Sequence, residues 1–334
     1  MRIAVNGFGR IGRIVTRILL EGGYDVVAVN DVHGVKDARY LLTYDSIYGK
    51  LNKKVEISGN NLVVDGKEIL VLKKRNPATL PWKKLRVDVV VEATGMFTDP
   101  KKACAHQKAG ATKVIITAPC SGSKPDLTIV PGVNGSKLKK SHKIISVASC
   151  TTNCLAPVVK VLEENFGVVQ TTFTTIHAYT NDQDLLDSSK TKVRRGRSAA
   201  QNIIPTTTGA SNSIQVIFPK LRGKIIGRSV RVPVDVGSLI DLTAQLKKPF
   251  TVASVNKAFN DASQKQLRGI LEYSTDELVS SDVIRNSHSS VFDSLKTEKI
   301  GKSVRILSWY DNEFGYSSRV VDVIGMIERL EGGA

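Results

Sequence analysis

The chain has 334 residues, 41% of them hydrophobic and 24% charged, a globular balance that is too long for one ordinary core and suits two domains. It contains no run of about 18 apolar residues to span a membrane, and it opens on the strand-like Met1–Asn6 rather than a secretory leader, so a soluble, cytoplasmic protein is expected. The net charge of +17 is spread through scattered pairs such as Lys139-Lys140 and Lys247-Lys248 without interleaved aromatics, which suits a solvated surface or attraction of anions and argues against nucleic-acid binding.

Arg2–Asn6 reads as a strand and Ile11, Ile14, Val15, Ile18 and Leu19 as one face of a helix that Gly22-Gly23 ends. Asp25–Asn30 is a second strand, Val87–Ala93 and Val114–Thr117 are later buried ones, and Lys101–Ala109 is a polar helix between them. Strands alternating with helices predict a Rossmann-type parallel sheet. Ile144–Ala148 then runs into Ser149-Cys150-Thr151, and Leu155, Val158, Val159, Leu162 and Phe166 follow at helical spacing to Gly167. Pro157 fits that helix only in its first turns or at a kink. From Gln170 onward, Thr171–Ala178, Ser229–Val234, Ser238–Leu246 and Ser303–Trp309 read as half-buried antiparallel strands. Tyr179–Asn202 has no period and carries Lys190–Arg197, the mark of a functional loop. A helix over about Ser317–Leu330 closes the chain. The fold expected is α/β: residues 1–149 as a nucleotide-binding domain, joined by the C-terminal helix 316–334, and residues 150–315 as an α+β catalytic domain with a mostly antiparallel sheet.

Gly7-Phe-Gly-Arg-Ile-Gly12 follows a strand and opens a helix, and the next strand ends in Asp31, nineteen residues after Gly12. Gly7 allows the tight turn, Gly9 the approach of a pyrophosphate and Gly12 close packing of helix on strand. Asp31 would accept from the ribose hydroxyls and repel a 2′-phosphate, so NAD is favoured over NADP. The four cysteines, Cys104, Cys120, Cys150 and Cys154, form no CxxC pair and no disulfide framework, and no metal is expected. Cys150 sits where a strand becomes a helix, whose N-terminus favours a thiolate. His177, at the end of a strand, is a candidate partner. Spacing alone leaves open whether the two side chains meet.

The strings Asn6–Arg13, Ala148–Pro157, His177–Gln183, Asn202–Ala210 and Trp309–Ser317, in one order along nearly the whole chain, closely resemble the glyceraldehyde-3-phosphate dehydrogenase family in its bacterial form. The resemblance implies that Cys150 attacks an aldehyde, that His177 lowers the thiol pKa and takes the hydroxyl proton, and that inorganic phosphate releases the acyl group of the resulting thioester. It implies Thr180 and Arg231 for the substrate phosphate. Ser149, Thr151, Arg195, Thr208 and Gly209 would hold the attacking phosphate. The backbones of Arg10 and Ile11 would hold the pyrophosphate, Arg75 and Thr117 would wall the adenine and nicotinamide ends, Asn312 would bond the carboxamide, and Asn181 would lie beside the cofactor. A homotetramer using NAD, glyceraldehyde 3-phosphate and phosphate follows.

The chain departs from the family at Val147, where Asn is usual, at Val234-Asp-Val-Gly237, and at Ser188-Ser189, which resembles members that accept NADP. Some NADP use is therefore expected beside NAD. Two other readings stay open at this point: an erythrose-4-phosphate dehydrogenase, and a basic nucleic-acid-binding protein with a vestigial site.

Overall fold

The protein's structure, a computed structural model, describes residues 1–332. The chain divides into two compact units: Met1–Ile129 with Asn134–Ala148 and Ser317 onward, and Val130–Val133 with Ser149–Tyr316.

The first unit begins β1 (Arg2–Asn6), α1 (Arg10–Glu21) and β2 (Asp25–Asn30). Ile14, Val15 and Leu19 form the buried stripe of α1, and Gly23, at φ +76°, returns its N–H to Leu20 and ends the helix. Then come α2 (Val35–Thr43), β3 (Val55–Ser58), β4 (Asn61–Val64), β5 (Lys67–Leu72) and β6 (Val89–Glu92). They are followed by α3 (Pro100–Ala103), α4 (Ala105–Lys108), β7 (Lys113–Ile116), β8 (Leu127–Thr128) and β9 (Ile144–Ser146). The polar helix expected over 101–109 is thus two short helices, broken at Cys104.

The strands form one sheet in the order β3-β4-β5-β2-β1-β6-β7-β9-β8. All its pairs are parallel except β3–β4 and β4–β5, an antiparallel edge that the apolar pattern did not announce. β6 and β7 are buried along their whole length, as continuous apolar strands in a parallel sheet are. The chain winds outward from β1 through β2 to β5, then restarts on the other side of β1 at β6. Such a reversal of strand order leaves a crevice at the carboxyl ends of the two strands.

The second unit holds α5 (Cys150–Asn165), β10 (Val168–Ala178), β11 (Ile204–Thr206), α6 (Ala210–Ile217), β12 (Ile225–Val232), β13 (Ser238–Leu246), α7 (Val252–Gln264), β14 (Leu271–Ser274), β15 (Ser290–Ile300) and β16 (Ser303–Tyr310). Its sheet runs β11-β12-β10-β13-β16-β15-β14 and is mostly antiparallel. Within it, Thr171–Ala178 and Ser229–Val234, read from the pattern as antiparallel, pair in parallel as β10–β12, and β14–β15 is parallel as well. Pro157 is the eighth residue of an unbroken α5, not a first-turn residue. Losing one helical N–H there costs about 3 kcal/mol. Leu155, Val158, Val159, Val161 and Leu162 are all buried around it, each worth roughly 1.5–3 kcal/mol, so burial outweighs the defect. The same core includes Phe259 stacked on Phe292 at 4.0 Å. The chain ends in α8 (Phe314–Glu331); positions 333–334 of the helix expected over 316–334 lie outside the described residues.

Candidate active site

In the first unit, a cavity of about 320 Å³ opens at the crevice beyond β1, β2 and β6. Asn6–Gly9, Asn30–Val32, Lys74-Arg75 and Ala93-Thr94 are among its lining. Gly7 takes φ +94°, and a Cβ there would lie 2.6 Å from Thr94 N. A Cβ on Gly12 would lie 1.9 Å from Gly7 O, so α1 can start this close to β1 only with glycine at that position. A Cβ on Gly9 would meet nothing within 4 Å, so at that point the backbone faces open space. Arg10 and Ile11 open α1, at the end that carries positive partial charge; the Arg10 guanidinium itself pairs with Asp45 at 2.5 Å. The Asp31 carboxylate accepts from Phe8 N at 3.1 Å and His33 N at 3.0 Å, which holds it in the lining of the cavity, to which Arg75 also belongs. This donor set and shape fit an adenine dinucleotide: room over Gly9, a helix N-terminus, and a carboxylate at the end of the next strand. Thr117 stands outside this lining, after β7, donating its hydroxyl to Glu92 O at 3.0 Å.

In the second unit, Cys150 is the first residue of α5. Ser149 caps the helix, its hydroxyl accepting from Thr152 N at 3.1 Å. The turn into the helix passes through Ala148 at φ +54°, a left-handed conformation uncommon outside glycine. The structure brings the two side chains that spacing left unplaced into contact: Cys150 Sγ lies 3.4 Å from His177 Nε2. His177 Nδ1 donates to Ala178 O at 2.7 Å, which leaves the Nε2 lone pair facing the sulfur. Burial pushes the Cys150 thiol up, and Arg231 pulls it back. Burial, then Arg231, push the His177 imidazole down to about 3. Burial makes either charge costly by itself; Arg231 favours the thiolate, and Ala178 O and Asp182 favour the imidazolium.

Register explains the placement of Arg231. β10 and β12 are parallel, and that pairing sets Arg231 directly opposite His177. Arg231 Nη1 donates to Thr180 Oγ1 at 2.6 Å, Gln183 Oε1 at 3.2 Å and Ala178 O at 3.3 Å. Arg195, in a single 3₁₀ turn over Val193–Gly196, donates to Thr206 Oγ1 at 3.0 Å and Thr207 O at 3.2 Å, immediately before Thr208 and Gly209. Arg197 instead spends its exposed side chain on Asp187. Gly209 caps α6 and Thr208 accepts from Ala210 N at 3.2 Å. The Thr151 hydroxyl bonds Tyr310 at 3.0 Å. Asn312 is buried; its Oδ1 accepts from Ser238 Oγ at 2.9 Å and Gly237 N at 3.3 Å. Asn181 is exposed on the loop that follows β10.

Asp182 went unremarked in the sequence although it lies within the His177–Gln183 string. Its carboxylate pairs with Arg195 on one side and Arg231 on the other, and accepts from Thr180. Burial pushes it up, but Thr180, Arg231 and Arg195 together hold it below the usual carboxylate range. It joins two arginines 36 positions apart in the chain, a link with no local signal. At the departures from the usual strings, Val147 is a core residue whose N–H bonds Ile116 O. Gly237 takes φ +94°, with no room for a Cβ 2.2 Å from Ser280 O. Asp235 accepts from the Tyr179 hydroxyl. Ser188 is held within its own loop, its N–H on Gly196 O at 2.8 Å and its hydroxyl on Asp184. No group of three His, Cys, Asp or Glu side chains suited to a metal occurs among the described residues, and none of their helices is long and apolar enough to cross a membrane.

Comparison with known proteins agrees with this geometry. Residues 1–100 match the family model described as glyceraldehyde 3-phosphate dehydrogenase, NAD binding domain, and residues 149–312 match the C-terminal domain of the same enzyme. The glyceraldehyde-3-phosphate dehydrogenase of Geobacillus stearothermophilus is 50% identical over 330 residues, 98% of each chain. That of Borreliella burgdorferi is 50% identical over 332 residues, 97% of this chain and 98% of the relative. Glyceraldehyde-3-phosphate dehydrogenase 2 of Bacillus subtilis is 48% identical over 327 residues, 97% and 96%.

Proposed function

The chain belongs to the glyceraldehyde-3-phosphate dehydrogenase family and is an NAD-dependent oxidoreductase acting on an aldehyde; from that premise we propose that it converts glyceraldehyde 3-phosphate and inorganic phosphate to 1,3-bisphosphoglycerate through a thioester on Cys150. The observation that carries the reading is the 3.4 Å approach of Cys150 Sγ to His177 Nε2, with the imidazole tautomer held by Ala178 O.

Cys150 Sγ adds to the aldehyde carbon while its proton passes to His177 Nε2. The Cys150 backbone N–H, at the start of α5, and the His177 ring stabilise the oxygen that becomes negative. His177 hands that proton to the oxygen, giving a hydroxyl, and, neutral again, takes it back as the carbon is oxidised. NAD, when bound, supplies the hydride acceptor. Thr180 and Arg231 hold the substrate phosphate, with Asp182 keeping the guanidinium oriented. Ser149, Thr151, Arg195, Thr208 and Gly209 receive the phosphate that attacks the thioester carbonyl, which frees the Cys150 thiolate. Hydroxyls, a guanidinium fork and a backbone N–H are the donors an incoming phosphate needs. Gly7, Gly9, Arg10, Ile11, Gly12, Asp31, Arg75, Thr117, Asn181 and Asn312 bind the cofactor. Residues 1–149 with the C-terminal helix 316–334 are its domain, and 150–315 the catalytic one. The working form is a cytoplasmic homotetramer that needs no metal and uses some NADP beside NAD.

The test is formation of NADH from NAD, aldehyde and phosphate. Omission of phosphate should leave at most a single turnover. Sustained turnover without phosphate would overturn the phosphorylating reaction.

A further inference from the structure

We propose that Glu92 is a positioning residue for the dinucleotide: its buried carboxylate ties together the loops that wall the cavity beyond β1, β2 and β6. The proposal rests on that cavity being the NAD site and extends the reading to Glu92 and His106, to which it assigns no part.

Asn6, Asn30 and Glu92 are the last residues of β1, β2 and β6. The parallel register sets Asn30 opposite Asn6 and Asn6 opposite Glu92, a polar row at the carboxyl edge of the sheet. A segment of cavity lining follows each of them: Gly7–Gly9 after Asn6, Asp31-Val32 after Asn30, and Ala93-Thr94 after Glu92. Glu92 is 2% exposed, and a carboxylate in such a place needs its oxygens satisfied. Four donors meet it. Oε2 accepts from Asn6 Nδ2 at 2.6 Å and His106 Nε2 at 2.9 Å. Oε1 accepts from Thr94 N at 2.8 Å and from the Thr94 hydroxyl.

The partners fix which atoms carry protons. The Trp82 indole can only donate, and it gives its N–H to His106 Nδ1 at 3.0 Å, so the His106 ring proton sits on Nε2 and faces Glu92. The Asn6 Oδ1 accepts from Asn30 Nδ2 at 2.7 Å, which turns the Asn6 Nδ2 toward the carboxylate. Asn30 in turn grips the backbone of Lys74, donating from Nδ2 to its O and accepting from its N, both at 2.8 Å. At the other end the Thr94 hydroxyl, which donates to Glu92, accepts from Met96 N at 3.0 Å. Hydrogen bonds thus run from the Lys74 side of the cavity through Asn30, Asn6 and Glu92 to the Thr94 and Met96 side. The spacing they hold is tight, since a Cβ on Gly7 would lie 2.6 Å from Thr94 N. A glutamine has nearly the shape of Glu92 but would turn an NH2 toward donors on one side. Those donors would lose their acceptor in a buried place, and one wall of the cavity would move from the other.

The experiment uses the full-length protein and titrates NAD by calorimetry into wild type, Glu92→Gln, His106→Phe and Trp82→Phe. Urea unfolding and the rate of Cys150 alkylation by iodoacetamide are followed in parallel without NAD. Glu92→Gln should weaken NAD binding by about ten- to hundredfold, the effect of one or two unsatisfied buried donors. Its Cys150 alkylation rate should stay that of wild type, because the polar row lies wholly in the first unit. His106→Phe and Trp82→Phe both break the Trp82–His106 bond and both should lower stability, but only His106→Phe takes a donor from Glu92. His106→Phe should therefore weaken NAD binding by about three- to tenfold, and Trp82→Phe by less than about twofold. Wild-type NAD affinity in Glu92→Gln overturns the proposal, as does an equal loss of affinity in His106→Phe and Trp82→Phe, which would follow stability alone. If Glu92→Gln does not fold, the His106→Phe and Trp82→Phe comparison decides, equal affinities overturning it. The wild-type titration separates the two readings: no NAD binding there removes the cavity as the cofactor site, whereas NAD binding that Glu92→Gln leaves unchanged removes only the part given to Glu92.

Discussion

Replacing His177 by Asn tests the pairing at the centre of the site. At the 3.4 Å separation of Cys150 Sγ and His177 Nε2, a thiolate and an imidazolium attract by roughly 5 kcal/mol at an effective dielectric constant of about 20. One pH unit corresponds to about 1.36 kcal/mol, so the imidazolium lowers the thiol titration by at most about 3.6 units. An asparagine amide can still donate to the sulfur, and a hydrogen bond to a charged group retains roughly 1.5–3 kcal/mol of that. The expected rise in the alkylation midpoint is therefore about one to three pH units. Arg231, which also pulls the thiol down, stays in place and limits the rise. Iodoacetamide suits the measurement because it is uncharged, so its approach does not itself depend on the charge removed. Turnover should fall by roughly 10²–10⁴ in the same variant, the usual worth of a positioned acid–base group. Superimposable alkylation profiles for wild type and His177→Asn would refute the argument, because the imidazole would then have no electrostatic hold on the thiol.

Cys150→Ser should abolish NADH formation and leave NAD binding intact, as a serine hydroxyl is far less acidic than a thiol; titration of NAD by fluorescence and a turnover assay check the two halves. Asp31→Ala should lower the NAD/NADP ratio of kcat/KM by about tenfold or more, a change equivalent to ~1.4 kcal/mol, while Ser188→Leu with Ser189→Pro should raise it by a smaller factor. An Asp31→Ala ratio equal to wild type would mean that the carboxylate does not meet the ribose. The pH dependence of stability also has a definite sign. With the Cys150 thiol protonated, the His177 imidazole lies near 3 in the fold against 6.5 ordinarily, so at acid pH the folded state favours its neutral form. That contribution is present above 6.5 and is lost as pH falls toward 3. Urea unfolding of His177→Asn should accordingly lose less stability over that interval than wild type, and identical slopes would contradict the assignment.

Local pattern carried much of this protein. Gly7, Gly9 and Gly12 between an apolar strand and an amphipathic helix, with Asp31 ending the next strand, specify a nucleotide crevice because each glycine answers a short-range steric demand. The strand-to-helix junction at Cys150 was legible for a similar reason: a short, largely apolar strand gives way to period 3.6 within a few residues. The antiparallel edge β3–β4–β5 was not legible because its strands are only four to six residues long, and strand β15 because it shows no clean alternation. β15 buries Ser290, Asp293 and Ser294 where an alternating strand would place apolar side chains. What the chain order could not say is which distant residues meet. Cys150 reaches His177 because α5 packs on the sheet in which His177 ends β10. Arg231 stands opposite His177 only because β12 joins β10 in parallel, against the antiparallel expectation. Asp182 and Tyr310 gain their places from pairings across 13 to 159 positions of sequence. Their meaning is in strand register and packing, which period and propensity do not encode.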